Sequence, residues 1–344
     1  MRRSLRKIVE SDPGLQVAGT ARDGEDSVAK ARELRPDVVT MDINMPGMDG
    51  ITALQIIAGE GIAPVLMVSS LTQEGAMATF QSMALGAFDY VPKPGGTVSV
   101  QMGPVADELV AKIKAAARPG VVKKLARSVP GPKEKRRSRQ RSTARSRPAP
   151  ASAEGPGFKA VAIGISTGGP KTLFEVLPLL PEDLDAAVFV VQHMPAKFIS
   201  AYAERIDKHC AMRCVEARAG TVVEPGIIYL ATGGSHLTLY RKSTGKIMVR
   251  TPRKPDHTFV PSVDVMMRSV LDAFGRDVVG VLMTGMGDDG ADAMASIRAG
   301  GGTTIAESEE SAIVFGMPRE AIERGGAKIV APSWEIARKI VESV

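Results

Sequence analysis

Two doubly wound parallel α/β domains joined by a flexible tether are predicted by three observations. Apolar runs of strand length alternate with amphipathic helical stretches on both sides of a central break. Residues 119–155 form that break, being mostly Arg, Lys, Ser, Pro, Ala and Gly, with almost nothing to bury in a core. The chain has 344 residues, enough for two cores at roughly 150 residues per domain. The expected division is therefore 1–118, a linker at 119–155, and 156–344.

In the first unit the strands are expected at LQVAGTA, PDVVTMDI, PVLMVSS and FDYVPKP. Helical periodicity falls near residues 25–34, 51–58, 76–85 and 105–117, and the opening RRSLRKIVES also reads as helix. In the second unit KAVAIGIS, AAVFVVQHM and DVVGVLMTGM are the clearest buried strands. GIIYLAT, HLTLYR and GKIMVRT are shorter and read as a hairpin-rich insertion.

Charge is distributed unevenly. The net charge is +6, yet residues 118–147 carry twelve Lys or Arg against the single acid Glu134, which leaves the remainder of the chain at −5. The basic balance thus belongs to the linker, and the domains are mildly acidic. No aromatic residues interleave with those cations, so a solvated, protease-sensitive tether is expected there rather than a nucleic-acid surface. There is no apolar run of spanning length and no apolar signal-peptide core, so neither membrane insertion nor secretion is expected. Two cysteines, Cys210 and Cys214, make no disulfide framework and fit a reducing cytoplasm. With His209 they would crowd three ligands onto one helix, a poor tetrahedral site, so core packing is the expectation.

In open parallel sheets ligands gather at the carboxyl ends of strands. In the first unit Asp42, Ser69 and Lys93 each stand at such an end. Singly each would read as a surface residue. As an ordered set they suit a phosphorylated carboxylate held by a hydroxyl and paired with an ammonium. MDINMPGMDG, VSS and VPKP resemble the motifs of two-component receiver domains, over about residues 1–118. The resemblance implies a flavodoxin-like fold, phosphorylation at Asp42, and a phosphate switch at Ser69 and Lys93. It also implies a sensor histidine kinase as phosphodonor. The chain departs from that pattern by beginning inside what looks like the first helix. The central first strand and the acids that would bind Mg²⁺ with Asp42 are missing, leaving Asp42 as a partial Mg²⁺ ligand. Either the true start lies upstream of Met1, or the receiver is damaged; Mg²⁺-supported phosphorylation is expected only with the missing segment restored.

In the second unit Ser166 ends a buried strand in GISTGGP, ahead of a helix. A serine on a glycine-flanked strand-to-helix turn is raised toward solvent with helix N–H groups beside it. With Lys171 and Thr172 the segment also approaches a phosphate loop, although Pro170 interrupts the motif, and a plain glycine turn is the third reading. His193 ends the next strand. The Gly-rich loop after DVVGVLMTGM holds Asp288 and Asp289 before a helix, where an acid is commonly a cap, and one of the pair is placed to orient a histidine. His209, His236 and His257 have weaker placements.

GISTGGP, QHMP, PSVDVM, TGMGDDGA and VFGMPREAI resemble the catalytic domain of the chemotaxis protein-glutamate methylesterase (CheB) family, over about residues 156–344. The resemblance implies a Rossmann-like α/β methylesterase domain, with Ser166 as nucleophile, His193 as base and Asp289 as orienting acid. Thr167 and Met286 are then active-site lining residues with N–H groups for the oxyanion. It implies hydrolysis of glutamate methyl esters, and deamidation of glutamines, on the cytoplasmic domains of methyl-accepting chemoreceptors. No catalytic cofactor is implied, and a monomer is expected. The competing reading is a non-catalytic response regulator that acts by binding, through its linker or its C-terminal surface.

Overall fold

The computed structural model describes residues 1–70, 72–93, 102–127 and 157–344, which form two parallel sheets with flanking helices. The first unit runs α1 (Arg2–Glu10), α2 (Gly24–Leu34), β1 (Val39–Asp42), α3 (Gly50–Gly59), β2 (Val65–Ser69), α4 (Gln73–Ala84), β3 (Asp89–Pro92) and α5 (Met102–Ala116). Its sheet is parallel in the order β1-β2-β3, with Asp42 opposite Val68 and Ser69 opposite Pro92. Three helices begin on side-chain caps from Asp23, Asp49 and Thr72, each accepting an N–H three residues on.

LQVAGTA does not form the expected strand: residues 15–21 run between α1 and α2 with no ladder partner, and most are partly or fully exposed. In the flavodoxin-like order a second strand pairs only with the first. Without that neighbour its backbone has no partner for a ladder.

The linker expectation also needs correction at its start. Residues 121–127 form helix α6 (Val121–Arg127), with Val121 and Leu125 buried. Their i, i+4 spacing gives the short helix an apolar face, which a composition average over the whole basic stretch conceals. Lys124 donates to the carbonyls of Glu309 (2.6 Å) and Ala312 (3.0 Å), so α6 is fastened to the second unit. The rest of the expected linker lies outside the described residues.

The second unit contains β4 (Lys159–Ile165), α7 (Gly169–Val176), β5 (Ala186–Gln192), α8 (Ala196–His209), β6 (Arg213–Glu216), β7 (Ile227–Leu230), β8 (Thr238–Arg241) and β9 (Ile247–Arg250). It continues with α9 (Val263–Phe274), β10 (Val278–Leu282), α10 (Ala291–Ala299), β11 (Thr303–Glu307), α11 (Met317–Glu323), β12 (Ile329–Ala331) and α12 (Ser333–Ser343). Seven strands pair in parallel, in the order β12-β11-β10-β4-β5-β7-β6, while β8 and β9 form a separate antiparallel hairpin. GIIYLAT therefore belongs to the main sheet as β7, not to the hairpin insertion. Ile228, Tyr229 and Leu230 are buried on both faces, as interior parallel strands require; four residues are too few to show this by pattern alone.

From β4 the chain adds strands on one side, then returns to the other side with β10. The strand order reverses between β4 and β10, the place where such sheets open a crevice. Both sheets share apolar packing across the domain boundary. Phe80 of α4 stacks on Tyr202 of α8 (ring centroids 5.0 Å), and Tyr90 of β3 meets Phe198 of α8 (5.1 Å). Beside this contact Trp334 of α12 lines a cavity of about 470 Å³ together with Phe80, Met83 and Ala84 of α4.

Candidate active site

Ser166 is the first residue after β4, and His193 the first after β5. The β4–β5 ladder ends at Ile165 opposite Gln192, and the His193 N–H donates to the Ile165 carbonyl (3.2 Å). Ser166 and His193 thus leave neighbouring strand ends, whose backbones are about 4.8 Å apart. The buried Gln192 amide holds both: its Nε2 donates to the carbonyls of Ser166 and His193, each at 3.0 Å. The crevice admits no larger residues at two glycines. Gly168, at φ +80°, would place a Cβ 2.8 Å from Ile313, and Gly285 would place one 2.9 Å from the Ser166 Cβ.

Asp289 comes from the loop after β10 and meets His193, with Nε2 at 2.9 Å from Oδ2. Its carboxylate also accepts from Ser262 Oγ (2.8 Å) and from the N–H groups of Val263 (2.7 Å) and Asp264 (3.0 Å). Ser262 caps α9, so the acid lies at a helix N-terminus, where negative charge is favoured. Burial alone would push this carboxyl up, but the His193 hydrogen bond and the two backbone donors hold it below the usual carboxylate range. With Asp289 ionised and accepting, Nε2 carries the hydrogen and Nδ1 the lone pair. That Nδ1 is buried without a hydrogen-bond partner. Phe259 stacks on the ring at 4.2 Å and an interplanar angle of 10°.

Thr167 is buried and Met286 partly buried. Among the described residues neither backbone N–H has an acceptor. Thr284 lies between these two turns. Its carbonyl accepts from the Ser166 N–H (2.9 Å), and its hydroxyl donates to the Thr167 carbonyl (2.9 Å). A groove of about 470 Å³ opens beside Met286, Gly287 and Asp288, and its other wall includes Lys114, Ala115 and Arg118 after the first sheet.

The remaining candidates sort themselves by their contacts. Asp288 is exposed and pairs with Arg324 (2.6 Å), not with a histidine. The phosphate-loop reading fails on geometry, because Lys171 is buried and donates to the Leu125 carbonyl (3.1 Å), while Thr172 donates to Gly168 (3.0 Å). His236 is buried, accepting from the Ser262 N–H and donating to the Pro255 carbonyl, so it shapes the loop before α9. His257, Asp264 and Asp289 have ligand atoms within 4.8 Å of one another, but Asp289 already accepts four hydrogen bonds there. Cys210 and Cys214 are free thiols in or beside the core.

In the first unit Lys93 Nζ lies 2.8 Å from Asp42 Oδ1, so two of the three candidates meet. The third, Ser69, is buried, with its hydroxyl on the Gly75 carbonyl (3.2 Å) and Thr79 (2.8 Å). Residue patterns did not point to Phe259, Gln192 or Thr284, which act through contacts. Ser262 did carry a signal, in PSVDVM, as a serine opening a helix.

Comparison with known proteins agrees over the whole chain. Residues 161–340 match the CheB methylesterase family, and residues 1–100 match the response regulator receiver domain. A protein-glutamate methylesterase/protein-glutamine glutaminase of Syntrophomonas wolfei is 57% identical over all of this chain and 96% of its own length. One from Pyrococcus horikoshii is 41% identical over all of this chain and 90% of its own. The crystal structure of the Thermotoga maritima CheB methylesterase catalytic domain is 37% identical, covers 54% of this chain and 99% of that one, and superposes with a TM-score of 0.53. The chain therefore belongs to the CheB methylesterase family, with a response regulator receiver domain ahead of the esterase domain.

Proposed function

We propose that the chain is a serine hydrolase that cleaves glutamate γ-methyl esters, and deamidates glutamines, on methyl-accepting chemoreceptors. The observation that carries this reading is the buried, unpartnered Nδ1 of His193, on the strand end next to that of Ser166, with Asp289 holding the ring's other nitrogen. A serine hydroxyl is the group that nitrogen lacks. The Ser166 Oγ–acyl bond forms as the proton passes to Nδ1, while Asp289 stays ionised and steadies the imidazolium. The N–H groups of Thr167 and Met286 face the oxyanion. The ester C–O bond then breaks, and His193 returns its proton to the departing methoxide, giving methanol; from glutamine the product is ammonia. Water attacks the acyl-enzyme as His193 takes its proton; the Ser166 Oγ–acyl bond then breaks and His193 passes that proton to Oγ, restoring the serine and leaving a free glutamate. The chain's own residues suffice for every step.

Ser166→Ala should lower kcat for methanol release from methylated receptors by about 10⁴–10⁶-fold. Near wild-type turnover in that variant would overturn the reading. Labelling of Ser166 by a serine-directed phosphonate, lost in His193→Ala, is the expected companion result.

The receiver supports a regulatory reading as well. Asp42 is the expected phosphoacceptor, with a sensor histidine kinase as donor, Lys93 as the paired cation and Ser69 as the switch hydroxyl. Mg²⁺ does not fit the residues present: among the described residues Asp42 belongs to no His, Cys, Asp or Glu group able to hold an ion, and Lys93 occupies its carboxylate. Phosphorylation of this chain by acetyl phosphate is accordingly expected to be slow.

A further inference from the structure

Behind the nucleophile turn lies a buried acid that the proposed chemistry does not use. Glu307 ends β11 with no exposed surface. One carboxylate oxygen accepts the Thr284 N–H at 2.7 Å, and the other accepts the Ser311 hydroxyl at 2.8 Å. Thr284 is the residue that touches both halves of the catalytic turn. Its carbonyl takes the Ser166 N–H, and its hydroxyl donates to the Thr167 carbonyl and accepts the Val314 N–H at 2.9 Å. Two residues on, the same loop presents Met286, and three further on Asp289.

We propose that Glu307 is a positioning residue for ester hydrolysis, fixing the Thr284 peptide and through it the Ser166–Thr167 turn and the Met286 loop. The proposal rests on the reading of Ser166 as nucleophile. A hydrophobic residue would fill this part of the core without charge, yet the site holds a carboxyl that burial pushes up to about 7. Ser311 and Thr284 donate to it, Lys124 on α6 favours its ionised form, and Glu175 on α7 opposes it. What the acid supplies is an acceptor at a defined height beneath Thr284. Without it the Thr284 N–H is buried and unpaired, and the peptide must turn to find another partner. Ser166 and the oxyanion donors would turn with it.

The test compares Glu307→Ala, Glu307→Asp and Glu307→Gln in the full chain. It reads kcat and KM separately for methanol release, together with thermal midpoint and phosphonate labelling of Ser166. Because Ala leaves a cavity and an orphan N–H, Asp is the safer variant: it keeps the charge but withdraws the oxygens by one methylene. Misplacement near 1 Å lowers rates by about 10²-fold. Ala and Asp should therefore reduce kcat by roughly 10–100-fold, with KM within threefold and Ser166 labelling slowed in parallel. Gln should recover kcat to within about threefold of wild type, since its carbonyl still accepts the Thr284 N–H. A folded Asp or Ala variant with wild-type kcat overturns the proposal, and so does a Gln variant as slow as Asp. If Ser166→Ala retains activity, the nucleophile assignment fails. If Ser166→Ala is inactive while the Glu307 variants are unimpaired, only the positioning role fails.

Discussion

Replacing Asp289 with Asn removes one charge and changes almost no volume, so its effects follow from hydrogen bonds and charge, not from packing. The carboxylate accepts from Ser262 and Asp264 on Oδ1, and from Val263 and His193 on Oδ2. An amide keeps one acceptor oxygen. If that oxygen serves Val263 and His193, the NH₂ faces Ser262 and Asp264; the serine hydroxyl can turn and accept, but the Asp264 N–H is orphaned. That loss is worth about 1–3 kcal/mol, and the lost charge at the α9 N-terminus about 0.3–1 kcal/mol more. A total of roughly 1–4 kcal/mol lowers the midpoint of a domain of this size by about 3–16 °C. The sign with pH is definite. The folded Asp289 carboxyl lies below its unfolded value, so its contribution is complete above the unfolded pKa of about 3.9 and is lost as pH falls through the folded one. The wild-type advantage should hold from pH 7 to about pH 5 and narrow in stronger acid. Activity should fall further than stability, by about 10⁴-fold in kcat, because a neutral amide no longer steadies the imidazolium that forms on His193. Thermal scans across that pH range and methanol release at pH 7 make the measurement. An Asn variant within about 2 °C of wild type at pH 7, or within tenfold in kcat, would refute the reasoning.

Phe259→Ala removes the ring stacked on His193 and should lower kcat by about tenfold, with a thermal midpoint little changed, since one aromatic pair contributes only about 0.5–1.5 kcal/mol beyond its area; an unchanged kcat would show that Asp289 alone fixes the imidazole. Burial pushes the Cys210 thiol up to about 12 and raises the Cys214 thiol as well, so both should react slowly with a disulfide reagent at pH 8 and rapidly once unfolded. Fast labelling of the native protein would contradict this. Lys93→Met leaves Asp42 without its cation, yet the pair is partly exposed and stability should move by less than about 1 kcal/mol. Acetyl phosphate labelling, slow in the wild type, should be absent in Asp42→Asn, and persistence of the label there would place the acceptor elsewhere.

Where a segment's structure depends on its own residues, the sequence declared it. The continuous apolar runs of β4, β5 and β10 could only be buried parallel strands, and their carboxyl ends located Ser166, His193 and the Asp288–Asp289 pair in advance. Segments whose state depends on a neighbour were opaque. Residues 15–21 have strand chemistry but no partner, β7 has a partner but too few residues to show it, and α6 is a helix only because Val121 and Leu125 find a surface to cover. The same division holds within the site. Residue types and strand ends identify the reacting groups, whereas Gln192, Thr284, Phe259 and Glu307 matter through which atoms they touch, and no local pattern encodes that. The choice between Asp288 and Asp289 rests on such a contact: one faces Arg324, the other His193.

Trp334 is the single tryptophan of the chain. It is half exposed, on α12, and shares its cavity with Phe80, Met83 and Ala84 from the receiver's α4. The native protein therefore carries one indole, at the seam between its two halves, which can be excited at wavelengths where its four tyrosines do not absorb. Its emission wavelength and quencher accessibility register how closely α4 lies against the esterase domain, with no dye attached and no residue replaced. Neither Ser166 nor His193 lines the cavity that holds the indole. Separation of the two halves, under any stimulus, becomes a quantity that can be titrated optically.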